Sequence, residues 1–493
     1  MKILFFYPCR AGQGNIPVNV PLLISILKKH GHEVKLFDLT DYEVFNNKSY
    51  EKLFFKEAEY NEEALLKDRE SFYKNSNLGI NLKNSDYTED FNNLVDSFKP
   101  DIIAVSLMSV DFKFTINFLR PIKQKYDTKI VIGGIHAILL PEETISNDVC
   151  DYVCIGEGES SIINLIEALE KNYDLSRVHG IWYKNNGIIC KNDRIELTDL
   201  TKVPFLDFDY FDPIHFYRPF DGARYKMINY EFSRGCPFTC SYCVNGILKD
   251  KYKGLGKYHR NKGISQSIEE LKYLINKYSF DFVRFWDEDF TANSIELIKN
   301  YAKVYNKHIK LPFIIYSRVE SITDEKVKIL KEMGCKTFAI GIESGNENIR
   351  KKVLNRHMSN KTLIEKFNIV KKHGIRTSAY NMIGLPYDTK ETIFDTINLN
   401  REIGPTSFSV TMLEPYRGTP IRELCEKEGL DPNHETVYNK AQFIPKGMTK
   451  EELEGLFKTF ALYIKLPISE WENIKKSEKD DELYLNLLKK AIR

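Results

Sequence analysis

The chain has 493 residues, of which 42% are hydrophobic and 28% charged, so it is long enough for two domains with proper cores. Its formal net charge at pH 7 is only +2, which argues against a strongly basic nucleic-acid-binding surface. No apolar run reaches the length of a transmembrane segment, and the strand-like N-terminus is too short for a signal peptide. The sequence therefore predicts a cytoplasmic protein.

Strand and helix patterns alternate over residues 1–170. The strand candidates are residues 2–7, 33–38, 101–107, 129–132 and 152–155. Strands that alternate with helices predict an open, doubly wound (Rossmann-like) parallel sheet with right-handed crossovers. Residues 41–90 interrupt this rhythm with a stretch rich in Tyr, Asn, Glu and Lys, which we interpret as a solvated insertion.

Small and polar residues follow the predicted strands, at the edge where such sheets bind ligands. The stretches 131–143 and 151–159 resemble the cobalamin-binding domain that precedes many radical S-adenosylmethionine (SAM) domains. The resemblance implies that cobalamin contacts Ser106, Gly133, Gly134, His136, Gly156 and Glu157. The chain lacks the Asp-x-His-x-x-Gly motif that supplies a lower cobalt ligand. A scaffold domain without the cofactor is the alternative, and His136 would then cap a turn.

Residues 171–222 are predicted to connect two domains. Within them, residues 203–213 are dense in Pro, Asp and aromatic residues. Proline fixes its backbone and lacks an N–H group, so this stretch is expected to run in an extended path.

Cys236, Cys240 and Cys243 form a C-x3-C-x2-C motif. Three thiolates at this spacing can ligate three irons of a 4Fe–4S cluster and leave the fourth iron open. A structural zinc site normally needs four Cys or His ligands, and no second pair follows. With Tyr242 before the last cysteine, the motif resembles the signature of the radical SAM enzymes. In that family the open iron binds SAM, and reduction by a donor such as flavodoxin or ferredoxin yields a 5′-deoxyadenosyl radical.

Six further strand–helix units follow, which fit the partial (β/α)6 barrel of that family over residues 223–440. The strand candidates are residues 226–232, 282–286, 313–316, 337–342, 377–382 and 407–412. A helical region is predicted over residues 441–493. Active sites of such barrels lie after the strands, and there the resemblance implies SAM contacts for Tyr242, Asp287, Arg318, Glu343, Ser344, Gly345 and Gly384. A helix cap for Asp287 and a surface ion pair for Arg318 are the structural alternatives.

Together these resemblances imply a cobalamin-dependent radical SAM methyltransferase that modifies an unactivated carbon of a small molecule or lipid. Radical cyclisation, rearrangement or carbon–carbon bond formation without methyl transfer is the first alternative. A non-catalytic metal-binding protein is the second, and it predicts zinc rather than iron.

Overall fold

The computed structural model describes residues 1–9, 17–42, 83–221, 223–432 and 441–492. The chain divides into two compact units. The first comprises the described residues up to Phe216 together with Lys249–Gly263, and the second comprises Tyr217–Leu248 and the described residues from Ile264 onward. Most of the insertion predicted over residues 41–90 lies outside the described residues.

The first unit contains a seven-stranded sheet in the order β2-β1-β3-β4-β5-β6-β7. Its strands are β1 (Lys2–Tyr7), β2 (Glu33–Asp38), β3 (Ile102–Ser106), β4 (Lys129–Gly133), β5 (Tyr152–Cys154), β6 (Ile181–Asn185) and β7 (Ile188–Lys191). Strands β1 to β5 pair in parallel, as predicted. The antiparallel pair β6–β7 was not predicted, although Asn186-Gly187 is a strong signal for a hairpin turn. Both turn residues have positive φ, 50° and 79°.

Helices cover the parallel strands of this sheet. They are α1 (Asn19–Lys29), α2 (Tyr87–Phe98), α3 (Ser109–Lys125), α4 (Ile135–Leu139), α5 (Pro141–Ser146) and α6 (Gly158–Lys171). The apolar residues of β1 are fully buried because a parallel sheet is covered on both faces. The end of the proline-rich stretch packs in the same unit, where His215 Nε2 lies 2.9 Å from Asp41 Oδ1.

The second unit contains a seven-stranded sheet in the order β16-β15-β14-β13-β12-β9-β8. Its strands are β8 (Tyr217–Phe220), β9 (Ala223–Tyr230), β12 (Phe282–Phe285), β13 (Phe313–Ser317), β14 (Cys335–Glu343), β15 (Arg376–Ile383) and β16 (Ser407–Met412). The short strand β10 (Ser233–Arg234) lies outside this sheet, as does β11 (Arg260–Asn261), which belongs to the first unit. The six predicted strands pair in parallel, and β8 adds an antiparallel edge. The predicted partial barrel is confirmed.

Helices alternate with these strands and continue to the C-terminus. They are α7 (Val244–Lys251), α8 (Ile264–Tyr278), α9 (Ile295–His308), α10 (Asp324–Met333), α11 (Glu347–Lys352), α12 (Asn360–Lys372), α13 (Lys390–Ile403), α14 (Pro420–Lys427), α15 (Lys450–Lys465), α16 (Trp471–Ser477) and α17 (Asp481–Ile492). Hydroxyl side chains begin several of them; Thr389, for example, forms a capping box at α13. The last three helices confirm the predicted helical C-terminal region. None of the helices among the described residues has the length and apolar character needed to cross a membrane.

Candidate active site

The cysteine loop follows β9 at the carboxyl end of the second sheet. Cys236 and Cys240 are buried, Cys243 is half-buried, and all three are free thiols. Arg318 Nη1 donates a hydrogen bond to Cys240 Sγ, and Asn245 Nδ2 donates one to Cys243 Sγ over 3.5 Å. Hydrogen bonds to cysteine sulfur are a means by which proteins tune iron–sulfur clusters. The soft donor set and its N–H partners therefore fit a 4Fe–4S cluster.

Asp287 anchors the start of this loop. Its carboxylate accepts hydrogen bonds from Phe232 N (3.1 Å), Ser233 N (2.6 Å) and the hydroxyl of Ser233. Burial raises the pKa of Asp287 to about 7, although these bonds act in the opposite direction. The side chain thus fixes the backbone that leads from β9 to the cysteines, and its predicted contact with the SAM ammonium stays a prediction.

Arg318 follows β13 and also reaches the cysteine loop. In addition to its bond to Cys240, its guanidinium pairs with Glu320 and stacks over Phe238, 4.0 Å from the ring centroid. The side chain is only 9% exposed. It therefore lies against the cysteine loop, and its predicted role as a carboxylate clamp for SAM stays a prediction.

Tyr242 and Glu343, both half-buried, and the buried Arg356 form a hydrogen-bonded network between the cysteine loop and the end of β14. Tyr242 donates its hydroxyl hydrogen to Glu343 Oε1 over 3.0 Å, and Arg356 Nη1 donates to the same oxygen over 2.7 Å. Arg356 Nη2 also donates to the Gly341 carbonyl over 2.7 Å. Glu343 has a φ of +66°, a conformation that non-glycine residues adopt at a cost. Tyr242 and Glu343 are among the predicted SAM contacts, whereas Arg356 was not predicted.

Three further predicted SAM contacts lie after β14 and β15. Ser344 is buried and its carbonyl accepts a hydrogen bond from Arg350 Nη1 over 2.6 Å. A Cβ atom at Gly345 would lie 2.2 Å from the Asp395 carbonyl oxygen, so close approach of α13 requires this glycine. Gly384 has a φ of +73°. Each position is compatible with the predicted contact, but Gly345 already has a structural reason to be glycine.

In the first unit, four of the predicted cobalamin contacts lie at the ends of β3 and β4 or just after β4. The strand order changes direction between β1 and β3, and ligands of open sheets bind at such a switch point. Ser106 Oγ accepts a hydrogen bond from Asn19 there. His136 is buried and stacks on Phe112, and its Nδ1 atom lies 3.0 Å from Ser109 Oγ. Gly133 ends β4.

Gly134 lies in close contact with the backbone of Leu107 at this edge of the sheet. Its φ is +91°, and a Cβ atom would lie 2.6 Å from both the backbone N and the carbonyl O of Leu107. Only glycine permits this approach of two strand ends. The strand order and these loops fit cobalamin at the same edge of the sheet.

Gly156 and Glu157 contact the segment that follows the cysteine loop in sequence. Arg260 Nη2 donates to Glu157 Oε2 over 2.6 Å, Thr198 N donates to the same oxygen over 2.9 Å, and Glu157 N donates to the Tyr252 hydroxyl over 2.8 Å. A Cβ atom at Gly156 would lie 2.7 Å from that hydroxyl. The Glu157 carboxylate is therefore engaged inside the first unit, and its contact with cobalamin stays a prediction.

Comparison with known proteins identifies two domains in the chain. The Radical SAM superfamily model matches residues 230–399, and the B12 binding domain model matches residues 64–166. The chain is 27% identical to an uncharacterized methyltransferase of Pyrococcus horikoshii, over 68% of this chain and 71% of that protein. It is 25% identical to the anaerobic magnesium-protoporphyrin IX monomethyl ester cyclase of Cereibacter sphaeroides, over 72% of this chain and 58% of that protein. A third relative is the cytidylyl-2-hydroxyethylphosphonate methyltransferase of Streptomyces wedmorensis, which is 20% identical over 86% of this chain and 80% of that protein.

Two solved structures share the fold. The radical SAM methyltransferase TsrM of Kitasatospora setae, with cobalamin and a 4Fe–4S cluster bound, aligns with a TM-score of 0.65 and 16% identity over 92% of this chain and 80% of that one. The cobalamin-dependent radical SAM enzyme OxsB, with aqua-cobalamin and SAM bound, aligns with a TM-score of 0.67 and 17% identity over 99% and 71%.

The chain therefore contains a B12-binding domain and a radical SAM domain. It is a radical SAM enzyme, and its cofactors are a 4Fe–4S cluster, SAM and cobalamin. The predictions of the enzyme class and the cofactors are confirmed.

Proposed function

We propose that this enzyme methylates an unactivated carbon of a small molecule or lipid. The observation that carries the proposal is the presence, in one chain, of a radical SAM domain and a B12-binding domain. Relatives that cover much of the chain are named methyltransferases, which supports the same reaction class.

When bound, the cluster, SAM and cobalamin supply reductive SAM cleavage and the methyl group. The chain supplies positioning and exclusion of solvent. Cys236, Cys240 and Cys243 would hold the cluster, and Arg318 donates a hydrogen bond to one of these sulfurs. Glu343 would bind a polar group of SAM, and Arg356 keeps its carboxylate in place.

The test is anaerobic reconstitution with iron, sulfide and hydroxocobalamin, followed by incubation with dithionite as reductant and with SAM that carries a CD3 group. The substrate source is a small-molecule and lipid extract from cells that lack the gene. Methylation through cobalamin consumes one SAM as methyl donor and another as radical source. We therefore expect S-adenosylhomocysteine and 5′-deoxyadenosine in equal amounts, together with a CD3-labelled product. The variant Cys240→Ala serves as the control without an intact cluster.

A radical cyclase is the second candidate, because three relatives are anaerobic magnesium-protoporphyrin IX monomethyl ester cyclases. Cyclisation would form 5′-deoxyadenosine without S-adenosylhomocysteine and without transfer of the label. That result would refute methylation and favour the cyclase.

We further propose that flavodoxin or ferredoxin reduces the cluster and that the enzyme works in the cytoplasm. A 4Fe–4S cluster with an open iron needs a low-potential electron donor and a reducing compartment. All nine cysteines are free thiols, which suits such a compartment. Replacement of dithionite by reduced flavodoxin in the assay above tests the donor.

A further inference from the structure

Asp38, Asp41 and His215 bring three side chains of the kind that bind metals together in the first unit. Asp38 ends β2, Asp41 follows it in the chain, and His215 lies in a short helical turn over Pro213–Phe216. One ligand atom from each of the three residues lies within 4.8 Å of the other two. We call these three residues the Asp38 cluster.

Asp38 is a buried carboxylate with one oxygen that has no donor. The residue is only 6% exposed. Its Oδ1 atom accepts hydrogen bonds from the backbone N and the hydroxyl of Thr40, over 2.8 and 2.7 Å. Among the described residues, no donor bonds its Oδ2 atom and no Lys or Arg pairs with it. Because buried carboxylates are normally paired with a cation or fully hydrogen-bonded, this oxygen indicates a missing cationic partner.

The two carboxylates of the cluster line a pocket that carries an excess of negative charge. The pocket has a volume of about 250 Å³, and Asp90 also lines it. Lys83 is the one cationic side chain among the described residues that line this pocket. Its Nζ atom lies 3.2 Å from Asp41 Oδ2, so it offsets one of the three carboxylates. The pocket therefore favours a cation and gives it room next to Asp38.

The three ligand atoms suit zinc. Zn²⁺ binds imidazole nitrogen and carboxylate oxygen at about 2.0–2.2 Å, and a tetrahedral site places its ligand atoms about 3.4 Å apart. Atoms that already lie within 4.8 Å of one another reach this spacing with small movements. Magnesium and calcium prefer sites made of oxygen atoms alone. The imidazole of His215 is therefore the ligand that selects zinc.

Zinc binding at the cluster replaces one hydrogen. His215 Nε2 lies 2.9 Å from Asp41 Oδ1, and because a carboxylate only accepts, the imidazole donates in this contact. A zinc ion between these two atoms would take the place of that hydrogen, and the proton would leave to solvent. Lys83 can stay on Asp41 Oδ2, because the metal uses the other oxygen.

We propose that the Asp38 cluster is a zinc site, with Asp38, Asp41 and His215 as ligands and a water molecule in the fourth position. His215 is 174 residues away from Asp41 in sequence, so the metal joins the end of β2 to the end of the proline-rich connector within the first unit. The site is separate from the cysteine loop, and the proposal does not depend on which reaction the enzyme catalyses.

The test measures zinc binding by the holoenzyme, in which the cluster occupies the three cysteines. The protein with cluster and cobalamin is incubated with equimolar zinc chloride at neutral pH, and unbound metal is removed by gel filtration. We expect about one zinc per chain by inductively coupled plasma mass spectrometry. X-ray absorption at the zinc edge should show nitrogen and oxygen ligands at about 2.0–2.2 Å rather than sulfur at about 2.3 Å.

Variants assign the zinc to residues, with its dissociation constant measured by equilibrium dialysis against a zinc buffer. Loss of a residue that merely supports a metal ligand typically weakens binding about 10- to 100-fold, so loss of a ligand should weaken it at least about 10-fold. We expect this effect for His215→Ala and for Asp38→Asn, which keeps the shape of the side chain and serves if the first variant does not fold. The matched control is His373→Gln, at an exposed pair with Asp324 in the second unit, which should bind zinc like wild type.

A thermal measurement tests the same site independently. Zinc should raise the melting temperature of the wild-type holoenzyme and of His373→Gln, but not that of Asp38→Asn, because only a protein that binds the metal in its folded state is stabilised by it. Excess magnesium chloride should not displace the zinc.

The inference is overturned if the wild-type holoenzyme retains no zinc, if the zinc edge shows sulfur ligands, if magnesium displaces the zinc, or if both Asp38→Asn and His215→Ala bind zinc as tightly as wild type. Each result is read from metal content or stability. Failure of the zinc site therefore differs from failure of the proposed function, which is read from methyl transfer.

Discussion

Replacement of Arg356 by Gln tests the hydrogen-bonded network that joins the cysteine loop to β14. Arg356 is 2% exposed and donates over 2.7 Å to both Glu343 Oε1 and the Gly341 carbonyl. Removal of one partner from a buried ion pair costs about 3–5 kcal/mol, because the other charge stays buried. We expect Arg356→Gln to lower the free energy of unfolding of the second unit by about this amount. For a unit of this size the melting temperature should fall by roughly 5–15 °C.

The same change should weaken SAM binding. Glu343 is held at a φ of +66° with its carboxylate fixed by Arg356 and Tyr242. Without Arg356 the glutamate can relax away from this conformation, which costs about 1–3 kcal/mol to maintain. We expect the KM for SAM, measured by 5′-deoxyadenosine formation, to rise about 10-fold or more. Arg356→Lys, which keeps the charge but cannot make both bonds, should fall between wild type and Arg356→Gln.

Arg350→Gln is the matched control. Arg350 is also fully buried, but it bonds the Ser344 carbonyl and Asn360 Oδ1, each over 2.6 Å, rather than Glu343. We expect a comparable loss of melting temperature with a smaller rise in KM. Equal rises in KM for the two variants would show that Arg356 has no specific effect through Glu343. A melting temperature within about 2 °C of wild type for Arg356→Gln would refute the energetic argument.

Three further predictions follow from single residues. Cys236→Ala should lose most of the reconstituted iron in a colorimetric assay, whereas Cys335→Ala, at a buried thiol in β14, should retain it. Burial raises the pKa of Asp388 to about 7, above the unfolded value of about 3.9, so the folded state holds the extra proton between these values. The free energy of unfolding of the wild type should therefore fall by up to about 1.4 kcal/mol per pH unit, relative to that of Asp388→Asn, as pH rises from 4 to 7. Parallel curves of unfolding free energy against pH for the two proteins would contradict this. Gly134→Ala should lower the melting temperature and the retention of cobalamin much more than Gly187→Ala. Both glycines have positive φ, but only Gly134 has backbone atoms within 3 Å of the added Cβ. Equal effects of the two substitutions would refute the steric argument.

The strands of the barrel could be predicted because each is an apolar run that ends at turn or polar residues. Strand β16 has the predicted bounds, Ser407–Met412, and β12 begins at the predicted Phe282. Strand β9 begins earlier than predicted, at Ala223, because it pairs with β8 over that stretch. Such pairing depends on a neighbouring strand and leaves no apolar signal in β9 itself. The regions of the candidate site could be predicted in the same way, because the residues that follow parallel strands all lie at one edge of the sheet.

Individual residues at that edge were harder to predict. Residues 350–357 contain four Lys or Arg side chains and one His, and only Arg350 and Arg356 are buried among them. Arg356 lies beyond the end of α11, so helical periodicity says nothing about the direction of its side chain. Its burial comes from contact with Glu343 and Tyr242, which are distant in sequence. Only the folded chain brings these charges together.

The predicted SAM contacts are of two kinds, which differ in the hydrogen bonds and packing contacts that they make within the protein. Asp287 accepts three hydrogen bonds from the start of the cysteine loop, and Gly345 is required by the close approach of α13. Both positions have a structural reason for their residue type that does not involve a ligand. Arg318 and Glu343, in contrast, place charged groups against the cysteine loop itself, through Cys240 and Tyr242. We therefore infer that SAM affinity depends directly on Arg318 and Glu343, whereas Asp287 and Gly345 act by fixing the backbone around them.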